Sequence, residues 1–290
     1  SLSRPPRCGS IGVRALLAAG RWFVMGPPLA PGPWACENGG VDQPPIELER
    51  EPFAPKLEDS VQLAPTPEEA TAALASDVAL QAMACVRRFG CFHLALSGGG
   101  PVERLLRELM IDPAYRALPW ARTHVWILEE RPVPHADPAS VFGMVRDLLV
   151  GHSGIPREQV HEVAPFRPAA HDEYERAIQR QLAERPGGHD RLDCAVLAMA
   201  RSGAVGRLGE VPQRDAGRLV VRLPDGDVVA TPRLLASSRF LAIVALGAPL
   251  REPLSRIAGG EGAPLPRLLG GHTRWYIDRD ACPDVDGAGP

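Results

Sequence analysis

Phe92-His93-Leu94-Ala95-Leu96-Ser97-Gly98-Gly99-Gly100-Pro101 is the stretch whose reading decides the fold. Five residues, mostly apolar, have the makeup of a buried strand and run straight into a serine and three glycines. Beyond Pro101, the residues Val102, Leu105, Leu106 and Leu109 recur at helical spacing. Strand, glycine turn and helix start in that order form an anion cradle: glycine lets backbone N–H groups approach a ligand closely, and the helix N-terminus adds partial positive charge. The stretch lacks the Lys-Ser/Thr of a nucleotide-binding P-loop and the G-x-G-x-x-G spacing of a dinucleotide site. A phosphorylated small molecule is therefore the better expectation than ATP or NAD.

Working outward, Thr66-Pro67-Glu68-Glu69 reads as a helix start, with Thr66 as N-cap, proline at the first helical position and glutamate three residues after the cap. The helix is expected to turn Ala72, Ala75, Val78, Ala79, Ala82 and Val86 inward and to stop near Gly90. A second strand is expected over 123–128, followed by the polar loop Glu129-Glu130-Arg131-Pro132-Val133-Pro134. Asp137-Pro138 starts a helix with Val141, Met144, Val145, Leu148 and Leu149 inward. Residues 154–163 read as a short connection plus strand, and 171–184 as an amphipathic helix on Tyr174, Ile178 and Leu182. The run 192–199 is the most continuous apolar one up to that point and reads as a central parallel strand. A hairpin is expected around Pro224-Asp225-Gly226-Asp227, then a buried strand over 240–246, a short helix over 249–257 and a last strand over 273–277. Strands alternating with helices predict an α/β fold with a mostly parallel sheet flanked by helices, whose ligands bind beyond the carboxyl ends of the strands.

The chain has 290 residues, 45% of them hydrophobic and 23% charged, enough for one large domain or for one domain with appendages. Residues 1–62 are dense in proline and glycine and are expected to be a poorly ordered extension; the domain is assigned to 63–284 and a tail to 285–290. A net charge of −3 argues against a general nucleic-acid or membrane-surface binder. No stretch approaches the roughly 20 apolar residues of a membrane span, so no membrane insertion is expected. Cys8, Cys36, Cys85, Cys91, Cys194 and Cys282 are scattered without metal spacing, and no metal is expected.

Several signposts occur together and in order: Leu94-Ala95-Leu96-Ser97-Gly98-Gly99, Trp120, Val125-Trp126-Ile127-Leu128-Glu129-Glu130-Arg131-Pro132-Val133-Pro134, Asp137-Pro138-Ala139-Ser140, Leu192-Asp193-Cys194-Ala195-Val196-Leu197-Ala198-Met199, and Trp275-Tyr276-Ile277-Asp278. On these motifs the chain, from about residue 64 to 282, resembles the 6-phosphogluconolactonase family. The run Arg87-Arg88-Phe89-Gly90-Cys91-Phe92-His93-Leu94-Ala95-Leu96-Ser97 looks like the lactonase half of the bifunctional hexose-6-phosphate dehydrogenase of the endoplasmic reticulum. The resemblance implies a Rossmann-like sugar-phosphate isomerase/lactonase fold and hydrolysis of 6-phosphogluconolactone to 6-phosphogluconate in the pentose phosphate pathway, without cofactor. It further implies a dehydrogenase domain in the same parent protein, and residence in the endoplasmic reticulum lumen, with the cytoplasm as alternative. Ser97, Gly98, Gly99 and Arg131 would hold the substrate phosphate; arginine suits this because its planar fork donates two hydrogen bonds at once.

The chain departs from the family where the chemistry is expected. Glu129 replaces the family's aspartate and Val141 its asparagine. The family's G-M-G-x-D-G-H segment falls on Ala198-Met199-Ala200-Arg201-Ser202-Gly203-Ala204, so the acidic position is Ser202 and the general-base histidine is Ala204. Alanine takes no proton, and general-base catalysis typically contributes about 10²–10⁴-fold. Acidic and apolar residues also stand for the family's basic ones near 225–229. Glu129, Glu130 and His135 are further candidates for the site, with His135, in the loop past Arg131, the histidine placed to face the cleft, while His93 and His124 lie in strands where a hydrogen-bonded core or half-buried imidazole is expected. Three hypotheses follow: a divergent lactonase with another base, a non-catalytic sugar-phosphate-binding or structural domain, and the amino-sugar-phosphate isomerase branch, which also needs acid and base groups in the altered loops.

Overall fold

The structure is a computed structural model that describes residues 55, 57, 59–183, 191–260 and 273–283. Its strands are β1 Ser60–Ala64, β2 Phe92–Leu96, β3 Thr123–Ile127, β4 Glu129–Glu130, β5 Val160–His161, β6 Cys194–Ala198, β7 Val220–Arg222, β8 Val228–Ala230, β9 Phe240–Ala245 and β10 Thr273–Asp278. Its α-helices are α1 Pro67–Phe89, α2 Gly100–Ile111, α3 Val141–Val145, α4 Gly151–Ser153, α5 Ala170–Ala183, α6 Pro232–Ala236 and α7 Arg251–Ala258. Seven strands form a parallel sheet in the order β1-β10-β9-β6-β2-β3-β5, and β4, β8 and β7 form a small antiparallel sheet beside it.

From β2 the chain moves outward through β3 and β5, then returns to β6 on the other side of β2 and continues through β9 to β10. The direction of travel therefore reverses between β2 and β6, which is where open α/β sheets form their ligand crevice. The strands there are apolar because both faces are covered: every residue of β2 and β9 is buried. α1 packs on β10 and β1, α2 on β6 and β9, and the two helices touch.

Several local expectations are corrected. β1 begins within the stretch assigned to the extension; Val61 and Leu63 pack on the core and the strand pairs along β10, a partner more than 200 residues away that local pattern does not reveal. The buried face of α1 runs through Leu74, Ala75, Val78, Ala82, Cys85 and Phe89, so Ala72, Ala79 and Val86 flank it rather than centre it. Glu129 and Glu130 pair with Val229 and Val228 as a strand instead of opening a loop. The helix expected from Asp137 starts at Val141: Ser140 is its N-cap, accepting the Gly143 N–H, and Asp137 instead caps a turn through the Ala139 N–H. After α3 the path continues through a π-helical turn, Arg146–Val150, into α4. Most of the expected extension, the tail at 285–290, Cys8 and Cys36 lie outside the described residues. Among the described residues no helix is long and apolar enough to cross a membrane.

Candidate functional site

A cleft of about 1040 Å³ opens at the carboxyl ends of β2, β3, β6 and β9, lined among others by Gly98, Gly99, Glu129, Arg131, Ala198 and Gly247. Its floor is the glycine turn. Gly99 is the N-cap of α2, with φ 104° and ψ 157°, a region open essentially to glycine alone. A Cβ on Gly99 would lie 3.2 Å from the Ala198 Cβ, and one on Gly98 would lie 2.8 Å from Val141 Cγ2. The turn thus passes close under two neighbouring elements, and Gly99 and Gly100 present exposed backbone at the start of α2.

Ser97 is placed differently from the expectation that it lines the phosphate site. It is 1% exposed and absent from the cleft lining. Its hydroxyl donates to the Gly98 carbonyl at 3.0 Å and accepts the Ala198 N–H at 3.0 Å. Because Ala198 ends β6, Ser97 braces the turn across the point where strand order reverses.

Arg131 is exposed and lines the cleft, and no hydrogen bond from its guanidinium is found among the described residues. Glu130 beside it is fully buried, with its carboxylate engaged: it accepts N–H groups from Arg131 (3.0 Å), Val141 (3.0 Å) and Phe142 (2.7 Å), and the Ser140 hydroxyl at 3.2 Å. That is an anchor for the start of α3, stabilised by the helix N-terminus, and not a group available for chemistry. Glu129 does face the cleft. Its Oε1 accepts the Gly98 N–H at 3.1 Å, and its pKa is raised, chiefly by burial; Asp227 adds to the rise, while the Gly98 N–H, Arg131 and Arg207 oppose it. His135 lies outside the cleft lining, its ring 4.5 Å from that of Phe142.

The loop carrying the altered motif is a tight turn. Ala200 N–H donates to the Ala204 carbonyl at 2.7 Å, Gly203 N–H to the Ala200 carbonyl at 2.8 Å, and Gly203 has φ 87°. Ser202 and Ala204 are exposed and do not line the cleft. Arg207, two residues after the Met199–Val205 bridge, is a site residue the sequence reading missed. Its guanidinium donates to Glu210, Asp225 and Asp227 at the cleft wall. The signal that could have found it is opposite charge: an arginine on this loop and two aspartates, Asp225 and Asp227, on the expected hairpin.

Outside the cleft, Cys91, His93 and His124 bring ligand-type atoms within 4.8 Å of one another. The rings of His93 and His124 stack 4.5 Å apart at 11°, so their in-plane lone pairs run nearly parallel and cannot converge on one ion. Trp126 Nε1–H also donates to His93 Nδ1 at 3.0 Å, which leaves the proton of the neutral ring on Nε2, toward Cys91 Sγ at 3.4 Å. As arranged, the cluster is a packed polar row, not a metal centre.

The family model described as "Glucosamine-6-phosphate isomerases/6-phosphogluconolactonase" matches residues 65–269. The chain belongs to this family. It is 29% identical over 271 residues to the human GDH/6PGL endoplasmic bifunctional protein, covering 87% of this chain and 33% of that relative, so the chain spans about a third of its length. It is 27% identical over 201 residues to the 6-phosphogluconolactonase of Haemophilus influenzae, covering 65% of this chain and 85% of that one. Among solved structures, 6-phosphogluconolactonase from Thermotoga maritima aligns with a TM-score of 0.63 at 22% identity over 77% of this chain and all of that one, a likeness of fold. The glycine turn and Arg131 thus lie in a cleft of a lactonase-like α/β domain.

Proposed function

We propose that this lactonase-like domain binds the phosphate of 6-phosphogluconolactone and 6-phosphogluconate through the backbone of Gly98 and Gly99 at the start of α2 and through the Arg131 guanidinium, with Ser97 as the brace of the turn. The observation that carries the reading is that Arg131 and the glycine turn line one cleft. Position 204 supplies no imidazole, so lactone hydrolysis is expected near the spontaneous rate, and the domain acts as a sugar-phosphate-binding module. By likeness to the bifunctional relatives, the reading extends to a dehydrogenase domain in the same parent protein, the pentose phosphate pathway and the endoplasmic reticulum lumen.

One observation favours a second reading, a working lactonase with a different base: Glu129 is a cleft carboxylate with a raised pKa. Two measurements decide. Titration of 6-phosphogluconate should show Arg131→Ala weakening binding about tenfold or more, as for a charged hydrogen bond removed; unchanged affinity overturns the phosphate site. Hydrolysis of 6-phosphogluconolactone against buffer, with Ala204→His and Glu129→Ala beside the natural chain, separates the readings. A rate well above buffer that Glu129→Ala abolishes establishes the second.

A further inference from the structure

We infer that the Glu129 carboxylate is a built-in competitor for the anion cradle, holding the Gly98 N–H that a bound phosphate oxygen would otherwise take. The inference rests on the sugar-phosphate reading of the cleft and concerns how that site is regulated. Both Gly98 and Glu129 line the cleft, and the donor of one points at Oε1 of the other across 3.1 Å. The contact joins residues 31 apart, so it is made by the fold and not by a local turn. The turn has little room to swing its N–H elsewhere. Val141 sits where a Gly98 Cβ would be, 2.8 Å away, and Ser97 ties the Gly98 carbonyl from the other side. Glu129 Oε2 lies against the next loop, 3.9 Å from the place a Cβ on Gly206 would occupy. Glutamate is one methylene longer than the family's aspartate, which extends the reach of the carboxylate toward the turn.

The charges facing Glu129 come from every side of the cleft: Arg131 from just past the end of β4, Arg207 from the loop after β6 and Asp227 from the hairpin. The two arginines favour the carboxylate and Asp227 opposes it. A phosphate arriving at Gly98 adds a second anion against the first in a half-buried site, where like charges disfavour each other more than in water. Binding therefore requires that Glu129 swing away or take up a proton. Burial already raises its pKa, so proton uptake is the accessible route, and the cradle is closed more firmly at higher pH.

The test uses the full chain, with 6-phosphogluconate and inorganic phosphate as probes, in calorimetric titrations at pH 5.5 and 8. Glu129→Ala removes the competitor; Glu129→Asp keeps the charge but withdraws it by one methylene, and serves if the alanine variant does not fold. Affinity should rise about tenfold at pH 8 in Glu129→Ala and by less in Glu129→Asp, with a smaller gain at pH 5.5. The natural chain should take up more protons on binding than Glu129→Ala, read from the dependence of the heat on buffer ionisation. Affinity unchanged or weaker in both variants, while Arg131→Ala still weakens the natural chain, overturns this inference alone. No binding by any variant, or no effect of Arg131→Ala, overturns the sugar-phosphate reading and this inference with it.

Discussion

The Ser97 hydroxyl accepts the Ala198 N–H at 3.0 Å, joining the end of β2 to the end of β6 where the order of strands reverses. A serine at the start of a glycine turn reads as a ligand contact, yet here it holds two strand ends at a fixed separation beneath the cleft. Ser97→Ala leaves the Ala198 N–H without its acceptor and is expected to cost about 1–3 kcal/mol in urea unfolding. Binding of 6-phosphogluconate should weaken only modestly. Abolished binding with unchanged stability would make the hydroxyl a direct ligand group.

Gly99→Ala tests the turn itself. The backbone at φ 104° is nearly closed to alanine, and the new Cβ would press on Ala198 at 3.2 Å. Stability should fall by about 1–3 kcal/mol, with ligand affinity falling as the start of α2 shifts. A variant as stable as the natural chain would show that the turn relaxes freely and is not a rigid cradle.

These two residues mark how far the sequence could be read. The strand, turn and helix over 92–111 were legible because buried strands and amphipathic helices write different periods, and glycine at a positive φ has a steric reason. The role of Ser97 was not legible, since its partner lies 101 residues away and backbone N–H groups leave no mark in a sequence. The same holds for β1, recognised by β10, and for Glu130, which looks like a cleft acid but caps α3 from inside the core. Arg207 was hidden because an ion cluster assembled from two loops has no local pattern.

Arg207 ties the loop after β6 to the hairpin through Asp225 and Asp227, and to its own turn through Glu210. Arg207→Ala strands the mostly buried Asp227 carboxylate and is expected to destabilise by about 1–3 kcal/mol, between the values for exposed and buried pairs. The arginine holds Glu210 and Asp225 below the usual carboxylate range. Their contribution is therefore present above pH about 4, where the unfolded groups titrate, and is lost as pH falls through the lower folded values. Melting curves from pH 7 to 3 should show the natural chain losing more stability than Arg207→Ala. Equal losses would mean the cluster is ornamental to folding.

His161 sets a second, separate pH dependence. Its ring stacks on Trp126 at 3.6 Å and its Nε2 lies 3.0 Å from His124 Nδ1, with the rings of His93 and His124 stacked in turn. Burial, helped by repulsion from His124, pushes its pKa down to about 3. An unfolded imidazole titrates near 6.5, so between those values the unfolded chain holds a proton that the folded chain refuses. Stability is whole above pH about 6.5 and is lost as pH falls toward 3, with a slope of at most about 1.4 kcal/mol per pH unit from this group. His161→Phe keeps a ring against Trp126 and removes the titration, at the cost of the bond to His124. Urea unfolding at pH 7, 6 and 5 should therefore find the variant less stable at pH 7 and the gap narrowing as the solution is acidified. Parallel curves across that range would show that the row takes up its proton without loosening, and that the three imidazoles share it within the fold.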